Sequence, residues 1–348
     1  MKPTIKSCFK GCLLGGAIGD ALGAPVEFDR WATIQKRHGK DGVTGFMPAY
    51  GGYGKVTDDT QMSLFTAEAL LRGLYQEKVK GTEMYLKANG IGLLRWHTTQ
   101  LEARPNPRYD GLLAERSLFS RRAPGNTCLS SIAAMLDNRQ FAKNNSKGCG
   151  TVMRMAPVGL FAWSAGRDDA FPMGNDFGHQ THGHPTGYLS GGFLAELVVK
   201  LLNGAQLRAA VIQVLDRLAF EPDCEELHAI VLKATKLAES GLEHRKAIAL
   251  LGEGWVAEEA LAVGIYCALV ATDFRHGVLM AVNHDGDTDS TGSIAGNILG
   301  ILHGVEGIPA EWLEKLEMRD LIERTATDLH DCPNWEGEGD WQRYACNY

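Results

Sequence analysis

Two stretches decide the fold of this chain: GCLLGGAIGDALGAPVEF at Gly11–Phe28 and HDGDTDSTGSIAGNILGILHG at His284–Gly304. In the first, Gly11, Gly15, Gly19 and Gly23 recur every fourth residue. In the second, Gly292, Gly296, Gly300 and Gly304 do the same. Four-residue spacing puts each set on one face of a helix. Leu13, Leu14, Ala17, Ile18, Ala21 and Leu22 keep an apolar helical rhythm between the glycines. Glycine inside a helix costs about 0.5–1 kcal/mol against alanine. Four such costs on one face need a compensating contact, which close backbone approach between packed helices supplies. The spacing predicts two central helices, one from each end of the chain, buried against each other. Two glycine-rich loops are the alternative. A chain whose ends meet in this way makes one domain over residues 1–348.

The same helical period runs outward through Thr60–Leu74, Leu189–Leu202, Val256–Ala271 and Ile294–Val305. Alternating β-branched segments bounded by hairpin turns are nearly absent, so the expected fold is all-α. Pro, Gly and Asn concentrate in Gly39–Tyr53, Thr98–Asn126, Asn144–Gly150 and Asp168–His184, which read as loops. The tail Cys332–Tyr348, with Trp335, Trp341 and Tyr344, reads as a polar-aromatic segment packed on the surface.

Composition narrows the function. The 348 residues are 45% hydrophobic and 22% charged, as in an ordinary globular protein. A net charge of -7 argues against a general nucleic-acid or anionic-membrane binder, which needs a basic face. A small phosphorylated ligand stays open. The eight cysteines form no CxxC, and in a chain of this length they read as reduced thiols. The first ten residues lack a signal-peptide core. The apolar run Cys12–Val26 is broken by Asp20 and too short to span a bilayer, so a cytoplasmic protein is expected.

The chemistry sits in two acidic clusters, each directly before an apolar helix: Thr57-Asp58-Asp59-Thr60 and Asp285-Gly286-Asp287-Thr288-Asp289-Ser290. A helix N-cap explains one residue of each. It does not explain several carboxylates side by side, which repel unless a cation intervenes. Oxygen donors suit Mg²⁺ or Mn²⁺, and no His or Cys spacing suggests zinc. Four carboxylates suffice for two metals about 3.5–4 Å apart, an arrangement that activates water and orients an oxygen-rich substrate. DGDTDSTGSIAG lacks the sixth-position Gly and terminal Glu of an EF-hand. Glu27 follows the first glycine-striped helix, either as a solvated charge or as a general base beside the metals. Asn144–Gly150 is a Gly-rich loop before the apolar stretch Val152–Phe161; such loops can hold a phosphate, or can be only turns. His182 and His184 precede another helix and read as loop residues or ligand contacts.

GCLLGGAIGDALGAPVEF, KVTDDTQMSLFTAEAL, NNSKGCGTVMRMAPVGLF, THGHPTGYLSG, GWVAEEALAVGIYCAL and HDGDTDSTGSIAGNILG together resemble the ADP-ribosylglycohydrolases, the family of the dinitrogenase-reductase activating glycohydrolase. The blocks run in order from about Cys8 to Leu329, leaving 330–348 as the tail. The resemblance implies an orthogonal all-α fold around two divalent cations, Mg²⁺ or Mn²⁺. It implies Thr57, Asp58, Asp59, Asp287, Asp289 and Ser290 as ligands, and Ser146, Lys147, Gly148, Cys149 and Gly150 as the loop on the ADP-ribose phosphates. His182 matches a ligand contact, and Glu27, Asp59 and Asp110 match catalytic carboxylates, although RYDGLLAERSL around Asp110 departs from the family pattern. The implied reaction releases ADP-ribose from a modified protein, from arginine ahead of O-linked or nucleic-acid-linked targets. Two rivals stand beside it. A metal-dependent phosphohydrolase would use the same acids but lacks its basic clamp here. A family member acting as an immunity protein would have an ADP-ribosyltransferase toxin as partner.

Overall fold

The computed structural model describes residues 2–135 and 140–346. Every regular element among them is a helix; the only β-type pairings are the isolated bridges Ala49–Gly52 and Gly148–Val256. The first helix, Ile5–Gly23, starts on a Thr4 cap and is buried on nearly all sides from Ser7 onward. It lies antiparallel to the helix Thr288–His303. A Cβ added at Gly11, Gly15, Gly19 or Gly23 would fall under 3.0 Å from the backbone of Gly300, Gly296, Gly292 or Thr288 in turn. The reverse holds for Gly292, Gly296 and Gly300 against Gly19, Gly15 and Gly11. The two stripes are thus one interface in which backbone meets backbone. Gly304 differs: it ends its helix at φ +67°, a left-handed conformation that glycine adopts without strain.

The remaining predicted helices appear as Asp58–Lys80, Pro185–Leu202 and Ala257–Val270. Two loop expectations give way. Asp168–His184 contains the helix Ala170–His179, which buries Ala170, Phe171, Met173, Gly174, Phe177 and Gly178. Its glycines again mark close packing, since a Cβ on Gly174 would fall under 3.0 Å from the backbone of Gly191. In Thr98–Asn126, the helix Tyr85–Leu101 runs on into the expected loop, and two short 3-10 turns follow at Gly111–Ala114 and Arg116–Leu118. The aromatic tail is not superficial: Trp341 and Tyr344 are buried, and the Tyr344 hydroxyl donates to Asp328 at 2.7 Å.

One hydrophobic core runs continuously from Cys8 to Tyr344. All eight cysteines are free. No described helix is long and apolar enough to cross a membrane.

Candidate active site

The first helix is the template that assembles the site. Asp20, fully buried in it, accepts hydrogen bonds from Thr57 N at 2.9 Å, Thr60 N at 3.2 Å and Thr60 Oγ1 at 2.5 Å. One turn later, Gly23 O accepts from Thr288 Oγ1 at 2.9 Å. One helix therefore grips the N-terminus of both acid-bearing helices, whose clusters lie more than two hundred residues apart in sequence. Each cluster also supplies its own cap. Thr57 accepts from Asp59 N, and Asp287 accepts from Ser290 N.

Glu27, Asp58, Asp59, Asp287, Asp289 and Ser290 line a single cleft of about 410 Å³. The segment Ala123–Cys128 lines it as well. It is tied to the first cluster where Arg122 O accepts from Asp58 N at 3.2 Å and Gly125 N donates to Asp58 Oδ2 at 3.4 Å. Thr57 is fully buried beneath the cleft.

The electrostatics are one-sided. Burial pushes the carboxyls of Asp58, Asp59 and Asp289 well above the ordinary carboxylate range, and neighbouring acids raise them further. Glu27 is pushed up to about 9, first by burial and then by Asp287, Asp58 and Asp20. Asp20 rises to about 6 because burial outweighs its hydrogen bonds. Among the described residues, no Lys, Arg or His forms an ion pair with any of these acids. Glu27 Oε2 and Asp59 Oδ1 are buried without a hydrogen-bond partner. Buried charge of one sign needs compensation. The orphaned oxygens and all-oxygen donor set fit hard divalent cations, which Thr57, Asp58, Asp59, Asp287, Asp289 and Ser290 could hold. Among the described residues, no three His, Cys, Asp or Glu side chains close on one point as a finished coordination shell.

The Gly-rich loop reaches the same cleft through Gly148, Cys149 and Gly150. Cys149 N donates to Trp255 O at 3.2 Å, Ala257 N donates to Lys147 O at 2.8 Å, and Cys149 Sγ donates to Asp287 Oδ2 at 2.8 Å. The loop is thereby stitched to the second acidic turn. Ser146 pairs with Thr127 across the loop at 3.0 Å. Lys147 departs from expectation. Its ammonium binds Glu226, at 2.5 Å, and Glu258, so it braces the loop and is not among the residues lining the cleft.

The two histidines part company. His184 caps the helix Pro185–Leu202 by accepting from Thr186 N at 3.2 Å. His182 lines the cleft beside Gly148 and Gly150. Burial, with nearby Arg154, lowers its pKa to about 3, so the ring is neutral. Arg154 is fully buried and donates to Gly150 O at 2.9 Å and to Thr181 Oγ1 at 2.8 Å. Thr181 Oγ1 thus accepts a hydrogen bond from Arg154, and its own proton is shared between Gly178 O at 3.3 Å and His182 Nδ1 at 2.9 Å. When that proton goes to Nδ1, Nε2 is the protonated nitrogen.

Asp110 stands apart. It is held by Arg95 at 2.8 Å and Arg72 at 3.2 Å, which lower its pKa against a raising effect of burial, and it is not among the cleft's lining residues. Its expected catalytic role therefore has no geometry behind it. Asp20 and Arg154 support the site in ways the sequence alone does not reveal, although each is a charge inside an apolar helical run. Nothing local marks Phe28 and Trp255, which meet only in the folded chain.

Comparison with known proteins identifies the family. The ADP-ribosylglycohydrolase family model matches residues 1–338. The ADP-ribosyl-[dinitrogen reductase] glycohydrolase of Rhodospirillum rubrum is 26% identical over 309 residues, covering 86% of each chain. The ADP-ribosylarginine hydrolase Tri1 of Serratia proteamaculans is 26% identical over 331 residues, 92% of this chain and 78% of that one. A solved ADP-ribosylglycohydrolase-related protein complex shares the fold at a TM-score of 0.68 and 24% identity, over 94% of this chain and 99% of that one. A chain with both acidic turns, the Gly-rich loop and this fold gathered at one cleft belongs to the ADP-ribosylglycohydrolase family of hydrolases.

Proposed function

We propose that this protein removes single ADP-ribose units from modified proteins by metal-dependent hydrolysis, and that arginine is the preferred attachment site. The observation that carries the reading is the cleft itself. Five carboxylates and the Gly-rich loop share one wall system, and among its described lining residues there is no lysine or arginine. A cationic guanidine leaving group suits such a site better than a neutral hydroxyl.

Two divalent cations, Mg²⁺ or Mn²⁺, held by Thr57, Asp58, Asp59, Asp287, Asp289 and Ser290, would compensate the acids and polarise oxygens of the distal ribose and of water. The backbone N–H groups of Ser146–Gly150 and the His182 Nε2–H would receive the diphosphate, with Lys147 steadying the loop from behind. With its neighbours compensated, Glu27 ionises at neutral pH and takes a proton from water as the water oxygen bonds to the anomeric carbon. The bond to the guanidine nitrogen breaks, and the proton passes to that nitrogen. Asp59 contributes negative charge beside the cation-like transition state.

Release of ADP-ribose from arginine-linked and serine-linked peptides, at equal concentration with Mg²⁺ and with Mn²⁺, tests the reading. Faster release from arginine is expected. Clear preference for serine under both metals overturns the substrate, and no release from either overturns the activity.

A further inference from the structure

We infer that Arg154 is the positive charge that compensates the diphosphate of ADP-ribose, acting from one layer behind the cleft through Gly150 and His182 without touching the ligand. The inference rests on the reading above that places the diphosphate on the Gly-rich loop, and it names the charge that reading lacks. A diphosphate between two sugars carries two negative charges at neutral pH, yet the cleft's described lining residues include no lysine or arginine. Lys147, the loop's own cation, is bound by Glu226 and Glu258. Backbone N–H groups orient an anion but bring no net charge.

Arg154 follows the loop within four residues and is fully buried. Its Nε donates to Gly150 O at 2.9 Å, and its Nη2 to Phe177 O at 3.2 Å and Thr181 Oγ1 at 2.8 Å. All three acceptors are neutral oxygens. Among the described residues no carboxylate pairs with it, and its Nη1 is buried without a partner. Burial lowers its pKa to about 10, so the guanidinium is charged at neutral pH. The titratable groups facing it add no countercharge, since burial pushes Cys128 up to about 12 and His182 down to about 3. A buried arginine almost always has an anionic partner, because an uncompensated charge is costly. A peg that only held the loop would need the donors and not the charge.

Two cleft residues stand between this charge and the ligand. Gly150 and His182 both line the cleft. Gly150 meets the guanidinium directly through its carbonyl, and His182 Nδ1 meets it through Thr181 Oγ1 at 2.9 Å. The ring of His182 in turn packs on the loop, its Nε2 lying 3.3 Å from where a Cβ on Gly148 would stand and 3.6 Å from one on Gly150. Attraction through such a buried layer is screened far less than through water. An anion on the loop is therefore the partner that Arg154 is missing.

The test changes the charge on both sides of the contact. Calorimetry with Mg²⁺ present compares the native full chain with Arg154→Gln and Arg154→Lys. The ligands are ADP-ribose and an uncharged analogue in which two sulfonyl groups replace the phosphates, keeping acceptor oxygens and losing the charge. Arg154→Gln should weaken ADP-ribose about 10- to 100-fold and the analogue less than about threefold, and Arg154→Lys should recover most of the loss. Equal losses for the two ligands overturn the inference, because Arg154 then only shapes the loop. Unchanged ADP-ribose affinity also overturns it. If Arg154→Gln does not fold, the native chain in EDTA decides. There the acidic lining repels an anion, so a preference for ADP-ribose over the analogue of at least about tenfold upholds the buried charge, and no preference removes it. The underlying reading is separated by Gly148→Pro: native ADP-ribose affinity in that variant makes the loop assignment fail by itself, whatever the Arg154 variants show.

Discussion

Replacing Gly19 by alanine sets two effects of opposite sign against each other. Helix propensity alone favours alanine by about 0.5–1 kcal/mol. The Gly19 Cβ, however, would lie under 3.0 Å from Gly292 O, Gly292 C and Ser293 N. All three are backbone atoms of a buried helix, so no side-chain end can swing away. Relief requires the two central helices to part, along an interface with the same contact at Gly11, Gly15 and Gly23. Overpacking of this kind costs about 1–3 kcal/mol, and a rigid backbone belongs at the upper end. Net destabilisation of about 2 kcal/mol is expected, which lowers Tm by a few degrees. Gly90→Ala is the control. It also sits within a helix, but its added Cβ meets only the Gln180 amide end at 3.2 Å. Urea and thermal unfolding of both variants decide the matter. Gly19→Ala should lose stability while Gly90→Ala holds or gains. A Gly19→Ala chain as stable as the native one would show that propensity wins, and that the stripe is not a close-packed seam. Activity should fall with stability, because Asp20 and Thr288 ride on the same seam.

Chelation with EDTA should abolish turnover and lower Tm, and Mg²⁺ or Mn²⁺ at about 100 times Kd should return about 2.7 kcal/mol. Asp287→Ala should lose turnover at least about 100-fold and leave Tm insensitive to cation, whereas full metal-dependent turnover would dissolve the shared site. Gly148→Pro removes one donor and stiffens the loop, so ADP-ribose affinity by calorimetry should drop about tenfold; unchanged affinity would move the diphosphate elsewhere. Thr181→Val should convert the ¹⁵N spectrum of His182 from a single Nε2–H tautomer to a mixture and weaken ADP-ribose about 2- to 10-fold. A native spectrum with the proton on Nδ1 would break the Arg154–Thr181–His182 chain.

Most of the fold was legible because its signals are local. A helix repeats its face every 3–4 residues, so the stripes at Gly11–Gly23 and Gly292–Gly304, and the apolar runs beside them, announce themselves without knowledge of distant neighbours. The acids of Thr57–Thr60 and Asp285–Ser290 were conspicuous for the same reason: adjacent carboxylates repel wherever they are placed. Glycine is ambiguous at Ala170–His179, where the spacing alone predicts a loop and the chain forms a helix. There, Gly174 and Gly178 pack on the helix Pro185–Leu202, as the two stripes pack on each other.

Spacing could name the acidic turns, the Gly-rich loop and the helices that carry them, but it could not say which partner wins each side chain. That contest is decided in space. Lys147 sits in the loop yet turns away, because Glu226 and Glu258 from later helices lie within reach and bind its ammonium. Of two histidines two residues apart, one caps a helix and the other faces the cleft, according to where Thr186 N and Thr181 Oγ1 come to lie. Asp110 is taken by Arg72 and Arg95 before it can serve elsewhere. Asp20 joins Thr57 to the first helix, and Phe28 meets Trp255, across separations that no local pattern encodes. Helix periodicity is a short-range property of the backbone and can be read from the chain. The direction of a side chain is settled by competition among charges and hydrogen-bond donors that only the packed helices bring together.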